Sequence, residues 1–254
     1  MDTKIKNLTK WIREQVPEGG KAIIGISGGK DSTIAAALCA KALGADNVIG
    51  VMMPNGVQAD IADSAQVCSI LGIESHLIDI AVAYDSISMG IARSFCANDE
   101  QPLSTVWNNK MFTTNTPARL RMTTLYAVAA LYPNSRVVNT CNYSEDYVGY
   151  STKYGDAAGD FSPLGNLTVR EVLEIGDALG LPSHLVHKAP SDGMCGKTDE
   201  DNLGFTYEEL DDYIMHGKAP RTQETYERIT HLHRVTRHKY EPMPVFSPVT
   251  LEEE

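Results

Sequence analysis

The chain has 254 residues, enough for one large α/β domain or two small ones. Its 22 Lys and Arg residues stand against 33 Asp and Glu residues, and the resulting net charge of −11 repels polyanions, so we expect no nucleic-acid partner. The five cysteines form no CxxC pair, and no stretch has the ~18 apolar residues of a membrane helix, so we expect a protein of the reducing cytoplasm without membrane association.

Hydrophobic periodicity predicts helices and strands in alternation. The first helix covers residues 1–16 and ends at the PEGG stretch. Short apolar runs predict strands at 21–26, 47–54, 75–80 and 136–141. Further helices are predicted at 31–44, 58–71, 81–95, 116–131, 206–216 and 221–238. Buried strands alternating with helices predict a single α/β domain over 1–254, with a doubly wound, mainly parallel sheet of four to five strands and helices on both faces.

Two segments do not follow this alternation. Residues 147–166 are rich in Gly and Asp, and residues 188–204 are polar. Loops of this length inside a compact domain are usually functional or disordered. We therefore expect them to close over a site.

The stretch GISGGKDST at 25–33 lies between a predicted strand and a predicted helix. It is neither a Walker A motif nor a GxGxxG fingerprint. Gly28 and Gly29 would let the backbone approach phosphate oxygens, and the N–H groups at the helix start would point at the anion. Asp31 beside a phosphate requires a cation, for which Mg²⁺ is suited. The alternative is a glycine turn whose Ser and Asp residues cap the next helix.

In this context the SGGKDS string resembles the pyrophosphate loop of the ATP pyrophosphatases. That resemblance implies that the loop grips the β- and γ-phosphates of ATP while an acceptor attacks the α-phosphate, giving AMP and pyrophosphate. The loop alone does not name the acceptor.

Three further strings narrow the choice: NTPARLRM at 115–122, a long acidic segment at 142–168, and KAPSDGMCGKTDEDNLGFTYEELDDYI at 188–214. In the first string, Pro117 predicts a helix start, which would place Arg119 and Arg121 near a helix N-terminus, where the helix dipole favours bound anions. Each string alone is compatible with a solvated surface. Together, in this order, they resemble the ammonia-dependent NAD synthetases, and no glutaminase region accompanies them.

The resemblance implies an adenine nucleotide alpha hydrolase-like fold, a homodimer, Mg²⁺ as cofactor, and deamido-NAD, ATP and ammonia as substrates. The implied ATP-binding residues are Gly25, Ile26, Ser27, Gly28, Gly29, Lys30, Asp31, Ser32, Arg121, Thr140 and Ser191. The implied deamido-NAD-binding residues are Asn115, Arg119, Lys153, Asp160, His238 and Lys239. Asp31 and Glu145 would hold the metal. Asp31 and Asp156 are the expected catalytic residues, and we hypothesise that Asp156 binds ammonium and accepts its proton.

The chain departs from the family pattern at several positions. Val169 stands where the family usually has a lysine on the γ-phosphate, which leaves Lys30 or Lys197 to replace it. Tyr240 stands in place of an arginine. Two alternatives stay open at this point: another ATP pyrophosphatase with a different acceptor, or a nucleotide-binding homologue that has lost turnover.

Overall fold

The computed structural model describes residues 1–95, 102–188 and 198–246. Within these ranges one parallel sheet has four strands: β1 (Ala22–Gly25), β2 (Val48–Met52), β3 (Glu74–Leu77) and β4 (Arg136–Val138). The strand order is β3-β2-β1-β4, and Ile23 of β1 pairs with Ile49 on one side and Val137 on the other. The predicted α/β class with a parallel sheet is confirmed.

Twelve α-helices occur in the described ranges. They are α1 (Asp2–Gln15), α2 (Lys30–Leu43), α3 (Ile61–Leu71), α4 (Ala81–Phe95), α5 (Ser104–Trp107), α6 (Lys110–Ala129), α7 (Tyr143–Val148), α8 (Val169–Ala178), α9 (Ser183–Val186), α10 (Asp199–Leu203), α11 (Tyr207–His216) and α12 (Gln223–Thr236). Judged by length and hydropathy, none of these helices would cross a lipid bilayer.

Helices cover both faces of the sheet, as the apolar strands require. On one face the buried core joins α1, α2, α3, α8 and α9 to the strands. Helix α2 lies in the middle of this layer and is apolar almost all round, because it is enclosed by the sheet and by other helices. On the other face the buried helical residues all come from α6: Met122, Leu125 and Val128. A third cluster joins α7, α8, α10, α11 and α12 beside the sheet.

Strand β1 is the point at which the winding of the sheet changes direction. The chain proceeds from β1 to β2 and β3 on one side, then returns to place β4 on the other side of β1. In open parallel sheets, ligands bind in the crevice beyond the carboxyl ends of the strands at such a point. The loops after β1 and β4 therefore meet at one place, although about 110 residues separate them.

The sequence prediction for α6 is wrong at its start. The helix begins at Lys110 after an Asn109 N-cap whose side chain accepts from the Phe112 N–H at 3.0 Å, so Pro117 lies inside it. Proline lacks only one intrahelical donor, and the long helix tolerates that loss. Arg119 and Arg121 consequently lie in the middle of α6 and receive no help from a helix N-terminus.

The boundary of β4 and the two expected loops also differ from prediction. Strand β4 ends at Val138, and the side chain of the next residue, Asn139, donates to the carbonyl oxygens of Asp156 (2.8 Å) and Ala158 (3.1 Å). Helix α10 lies inside the segment 188–204, which was expected to be a loop, and α7 overlaps the start of the other expected loop, 147–166. Both helices start with capping boxes, formed by Asn142 with Glu145 and by Thr198 with Asp201. Hydrophobic periodicity does not detect a capping box, so these helix starts were not predicted.

Candidate active site

A cavity of about 470 Å³ opens at the carboxyl ends of β1, β2 and β4. Many of the residues that the sequence predicts for the site line it: Gly25, Ile26, Ser27, Gly29, Lys30, Asp31, Arg121, Thr140 and Asp156. They come from the loop after β1, the start of α2, the middle of α6 and the segment after β4. The sheet topology thus gathers one site from residues that are far apart along the chain.

The loop between β1 and α2 has the backbone of an anion site. Gly28 has φ +78°, and a Cβ there would lie 3.0 Å from the Ser64 nitrogen, so the position requires glycine. Gly29 is the N-cap of the 14-residue α2 and makes no side-chain capping bond. Ser27 and Ser32 hold the loop together, because their hydroxyl oxygens lie 3.1 Å apart and the Ser27 hydroxyl accepts from the Gly29 N–H at 3.2 Å. The first turn of α2 therefore faces the cavity with its dipole favouring an anion.

An ionic cluster lies directly behind this loop. The Lys30 Nζ is 2.6 Å from Asp31 Oδ2 and 3.9 Å from Glu145 Oε1, and the lysine side chain is only 4% exposed. Asn142 connects the two acids: its Nδ2 donates to Asp31 Oδ1 at 3.0 Å, and its Oδ1 accepts from the Glu145 N–H at 3.0 Å. The structure thereby holds Asp31 of α2 and Glu145 of α7 in one place.

Burial and charge act in opposite directions in this cluster. Burial, reinforced by the charge of Asp31, raises the pKa of Glu145 well above its ordinary value. Burial lowers the pKa of Lys30, but the charges of Asp31 and Glu145 outweigh burial and the net pKa of Lys30 is raised. The ammonium therefore stays charged at neutral pH.

Asp31 and Glu145 have the chemistry of a Mg²⁺ site. Mg²⁺ in nucleotide enzymes is usually bound by one or two carboxylates together with substrate phosphates and water. Both carboxylates lie within ion-pair distance of a single cation, and the loop that faces phosphate adjoins them. The donor set fits a divalent ion that arrives with ATP.

Arg121 of α6 and Asp156 of the segment after β4 also line the cavity. Arg121 Nε donates to the Met53 carbonyl oxygen at 2.9 Å, and burial lowers the pKa of this guanidinium. Asp156 Oδ1 accepts from the Thr152 N–H at 2.9 Å, and burial raises the pKa of its carboxyl. The site thus places an oriented cation and a carboxylate of raised basicity in the same cavity.

Five of the six residues predicted for deamido-NAD gather around the 149–156 loop. Asn115 Oδ1 accepts from the Thr152 hydroxyl at 2.8 Å, and Arg119 Nε donates to the Lys153 carbonyl at 3.2 Å. Lys239 Nζ donates to the carbonyl oxygens of Gly149 and Ser151, each at 2.6 Å, and Lys153 Nζ donates to the carbonyl of His238. Thr152 also contacts Asp156, so this group adjoins the cavity.

Asp160 lies apart from that group. Its carboxylate accepts from the Val137 N–H at 2.7 Å and from the Tyr126 hydroxyl at 3.1 Å. In this structure it connects β4 to α6. Ser191 and Lys197 lie outside the described residues.

Sequence reasoning missed several polar residues of the site. Asn142 was signalled by the Asn-x-x-Glu spacing of its capping box. Lys188 lines the cavity and binds Asp60 and Asp63, each at 2.7 Å, and no local pattern marks it. Asp199 lines the cavity from the start of α10.

Val169, where the sequence predicts a missing phosphate contact, belongs to the apolar cluster of α7, α8, α10, α11 and α12 and is 7% exposed. Its neighbours in that cluster include Tyr207 and Leu210. The position therefore provides packing, and no charge lies there.

Comparison with known proteins agrees with this geometry. The sequence profile of the NAD synthase family matches residues 4–243. The NH(3)-dependent NAD(+) synthetase of Finegoldia magna is 37% identical over 227 residues, which are 88% of this chain and 88% of that one. The structure of NMN synthetase from Francisella tularensis superposes with a TM-score of 0.84 and 33% identity, covering 98% of each chain. NH3-dependent NAD synthetase from Campylobacter jejuni superposes with a TM-score of 0.71 and 26% identity, covering 97% of this chain and 98% of that one. With a profile match over nearly its whole length and a relative of this similarity, the chain belongs to the NAD synthase family.

Proposed function

We propose that the protein is an ammonia-dependent ligase that adenylates the nicotinate carboxylate of deamido-NAD with ATP and then amidates it, giving NAD, AMP and pyrophosphate. One observation carries the proposal: the phosphate loop after β1 and the basic carboxylate of Asp156 open into the same cavity. The similarity to NH(3)-dependent NAD(+) synthetases over most of the chain supports it. Neither a different reaction class nor a protein without turnover is favoured.

The first half-reaction joins two anions. A nicotinate oxygen attacks the α-phosphorus of ATP, the bond to the β-phosphate oxygen breaks, and pyrophosphate leaves. The loop from Gly25 to Ser32 would hold the departing phosphates at the N-terminus of α2, and Arg121 would neutralise charge across the cavity. Thr140, and Ser191 in the segment outside the described residues, would complete the ATP contacts.

Asp31 and Glu145 would hold Mg²⁺, which when bound supplies positive charge to the phosphates. The fit of their donor set supports this assignment. Asn142 fixes the relative position of the two acids.

In the second half-reaction, ammonia attacks the acyl carbon of the adenylate, and AMP leaves. Ammonium predominates at neutral pH but has no lone pair, so it must lose a proton before it attacks the acyl carbon. Asp156 would bind ammonium and take that proton, and its raised pKa makes it a stronger base than an ordinary aspartate. Asn115, Arg119, Lys153, His238 and Lys239 would bind deamido-NAD around the adjoining loop. Asp160 would also bind deamido-NAD, because its carboxylate is exposed and each oxygen keeps acceptor capacity beside its contacts with β4 and α6.

A second acceptor is favoured by one specific observation. NMN synthetase from Francisella tularensis superposes more closely than NH3-dependent NAD synthetase from Campylobacter jejuni, with TM-scores of 0.84 and 0.71. The same chemistry on the corresponding mononucleotide acid would give NMN. The phosphate loop, Asp156 and the metal acids would serve either acceptor unchanged, because both carry the same nicotinate carboxylate.

We also propose that the protein acts as a homodimer in a reducing cytoplasm. The sheet face covered by α6 carries α4 outside it, and α4 exposes Val82 and Met89, which are seven residues apart and share one helical face. A second copy would bury this apolar surface. The buried free thiols of Cys39 and Cys141 are compatible with a reducing compartment.

The experiment that tests the proposal incubates purified protein with ATP and Mg²⁺ and each of two acceptors, deamido-NAD and deamido-NMN. Each mixture receives ammonium, glutamine or no nitrogen donor, and NAD, NMN, AMP and pyrophosphate are measured. NAD formed with ammonium but not with glutamine establishes the first candidate, and a kcat/KM at least tenfold higher for the mononucleotide establishes the second. AMP released without an amide product from either acceptor would overturn both.

A further inference from the structure

The ammonium of Lys30 lies between the two acids assigned to the metal. Lys30 is the first residue of α2, directly after the Gly28-Gly29 turn, yet its side chain is buried at 4% exposure. Its Nζ is 2.6 Å from Asp31, 3.9 Å from Glu145, and 5.7 Å from the centroid of the Tyr207 ring. A buried lysine is stable only when its charge is compensated, and these three groups compensate it.

The position of this ammonium conflicts with a bound divalent ion. Two carboxylates that share one cation at ion-pair distance offer their oxygens to that cation first. A Mg²⁺ ion that coordinates both acids must therefore displace the ammonium, since two cations in contact repel each other strongly in a buried site. The phosphate chain bound by its own loop is an anion that the displaced ammonium would meet, and the charge of Asp199 also acts on the ammonium.

Val169 stands where the family usually has a lysine on the γ-phosphate, so another cation is needed for that phosphate. Val169 is buried in the apolar cluster that contains Tyr207, and the Lys30 ammonium lies over the ring of that same tyrosine. The apolar cluster to which Val169 of α8 belongs therefore borders the Lys30 ammonium of α2 through Tyr207. Val169 supplies no charge there.

We propose that Lys30 is an internal cation that holds Asp31 and Glu145 together before ATP binds and moves onto the departing pyrophosphate when Mg²⁺ takes its place. The proposal rests on ATP use under the proposed function, and it adds a specific competition between Lys30 and the metal. Lysine suits this role because its ammonium is a point charge on a flexible stem.

The test measures binding without acceptor or ammonia, so its outcome is independent of which acid the enzyme amidates. Titration calorimetry gives the affinity of the ligand-free protein for Mg²⁺, and separately the affinity for pyrophosphate in the presence of Mg²⁺. We expect Lys30→Met to bind Mg²⁺ about tenfold more tightly and pyrophosphate about tenfold more weakly. If Lys30 had a purely structural role, its removal would not strengthen Mg²⁺ binding.

The matched variants are Val169→Lys in the Lys30→Met background and Lys218→Met. The first places a cation where the family resemblance implies a lysine on the γ-phosphate, and should restore pyrophosphate affinity to within about threefold of the parent protein. The second removes an exposed lysine that lies away from the cavity lining and binds Asp212 at 2.6 Å, and it should leave Mg²⁺ affinity unchanged. Circular dichroism checks folding, and Lys30→Gln serves in place of Lys30→Met if that variant does not fold.

Unchanged or weaker Mg²⁺ binding in the folded Lys30 variants would overturn the competition. Unchanged pyrophosphate affinity would overturn the transfer of the ammonium to phosphate.

Discussion

Among the site residues, Asp156 is the one on which the proposed amidation step depends most directly. Asp156 is an exposed residue that lines the cavity, its carboxylate accepts the Thr152 N–H at 2.9 Å, and desolvation by the surrounding protein raises the pKa of that carboxyl. We expect Asp156→Asn to lower ammonium-dependent amide formation by about 100-fold, because asparagine retains the acceptor but takes no proton. Exchange of labelled pyrophosphate into ATP in the presence of acceptor should continue at a rate close to that of the parent protein.

Amide formation and pyrophosphate exchange together distinguish a role of Asp156 in amidation from a role in adenylation. If amide formation were unchanged in Asp156→Asn, Asp156 would not be the proton acceptor. If pyrophosphate exchange fell equally, Asp156 would act in adenylation or in folding instead.

The ionisation of Asp146 predicts how the free energy of unfolding depends on pH. Burial, with the Asp156 charge adding to it, raises its pKa from 3.8 to about 6. Because this folded-state pKa lies above the unfolded value, ionisation opposes folding: the penalty is absent below the unfolded pKa, grows as the pH rises towards 6, and is constant above it. We expect Asp146→Asn to raise the free energy of unfolding at pH 8 by about 2–3 kcal/mol, and by roughly half of that at pH 5.

Urea unfolding of both proteins at the two pH values measures this difference. Asp85→Asn, which changes an exposed aspartate of α4, is the control and should have a small effect at both. An equal gain at pH 5 and pH 8 would show that ionisation of Asp146 is not its source.

Among the elements, the turn between β1 and α2 requires glycine at one position. Gly28 combines a positive φ of +78° with a backbone contact that a Cβ would make at 3.0 Å to the nitrogen of Ser64. We expect Gly28→Ala to destabilise the protein by about 1–3 kcal/mol and to raise the KM for ATP, because the turn must shift to admit the methyl group.

Gly72→Ala is the matched control. Gly72 ends α3 with φ +63°, and no atom lies within 4 Å of the position that an added methyl group would take, so only the conformational cost of about 1 kcal/mol applies. Its KM for ATP should equal that of the parent protein. Similar KM values for the two variants would show that the Gly28 contact does not shape the phosphate site.

The elements also show which local signals could be read in advance. The buried strands β1, β2 and β4 were evident as apolar runs, and β3, whose residues are all exposed, was predicted as well. Four to five strands were predicted, and the described residues form four. Pro117 misled the prediction of α6, because a proline signals a helix start only when no stronger cap precedes it, and Asn109 provides that cap. The six-residue helix α7 carries a capping box but too few residues for a clear period. Helix α8 carries a capping box and also apolar residues at helical spacing, Val169, Val172 and Leu173, so its sequence did contain the signal that the prediction missed.

At the scale of the whole molecule, the exposed apolar face of α4 predicts a dimer. We expect the protein to sediment as a dimer, and the double variant Val82→Lys and Met89→Lys to sediment as a monomer, because two charges would have to be buried at the interface. Analytical ultracentrifugation at several concentrations measures this. Met215→Lys changes an exposed apolar residue of α11 and should leave the dimer intact.

A parent protein that is monomeric at all concentrations would contradict the prediction. A double variant that stays dimeric would place the interface on another face.

The sequence by itself determined the reaction class, since the phosphate loop, the acids and the family resemblance are carried by short strings whose chemistry is local. It also determined the alternation of strands and helices, because periodicity reports burial directly. Only the tertiary structure decided that Lys30 lies between Asp31 and Glu145, that Asn142 joins the two acids, and that Asp160 connects β4 to α6. The contacts that bring Asn142 and Glu145 to Lys30 and Asp31 join residues more than 100 positions apart in the chain, and their geometry depends on β4 pairing beside β1, which no local pattern specifies.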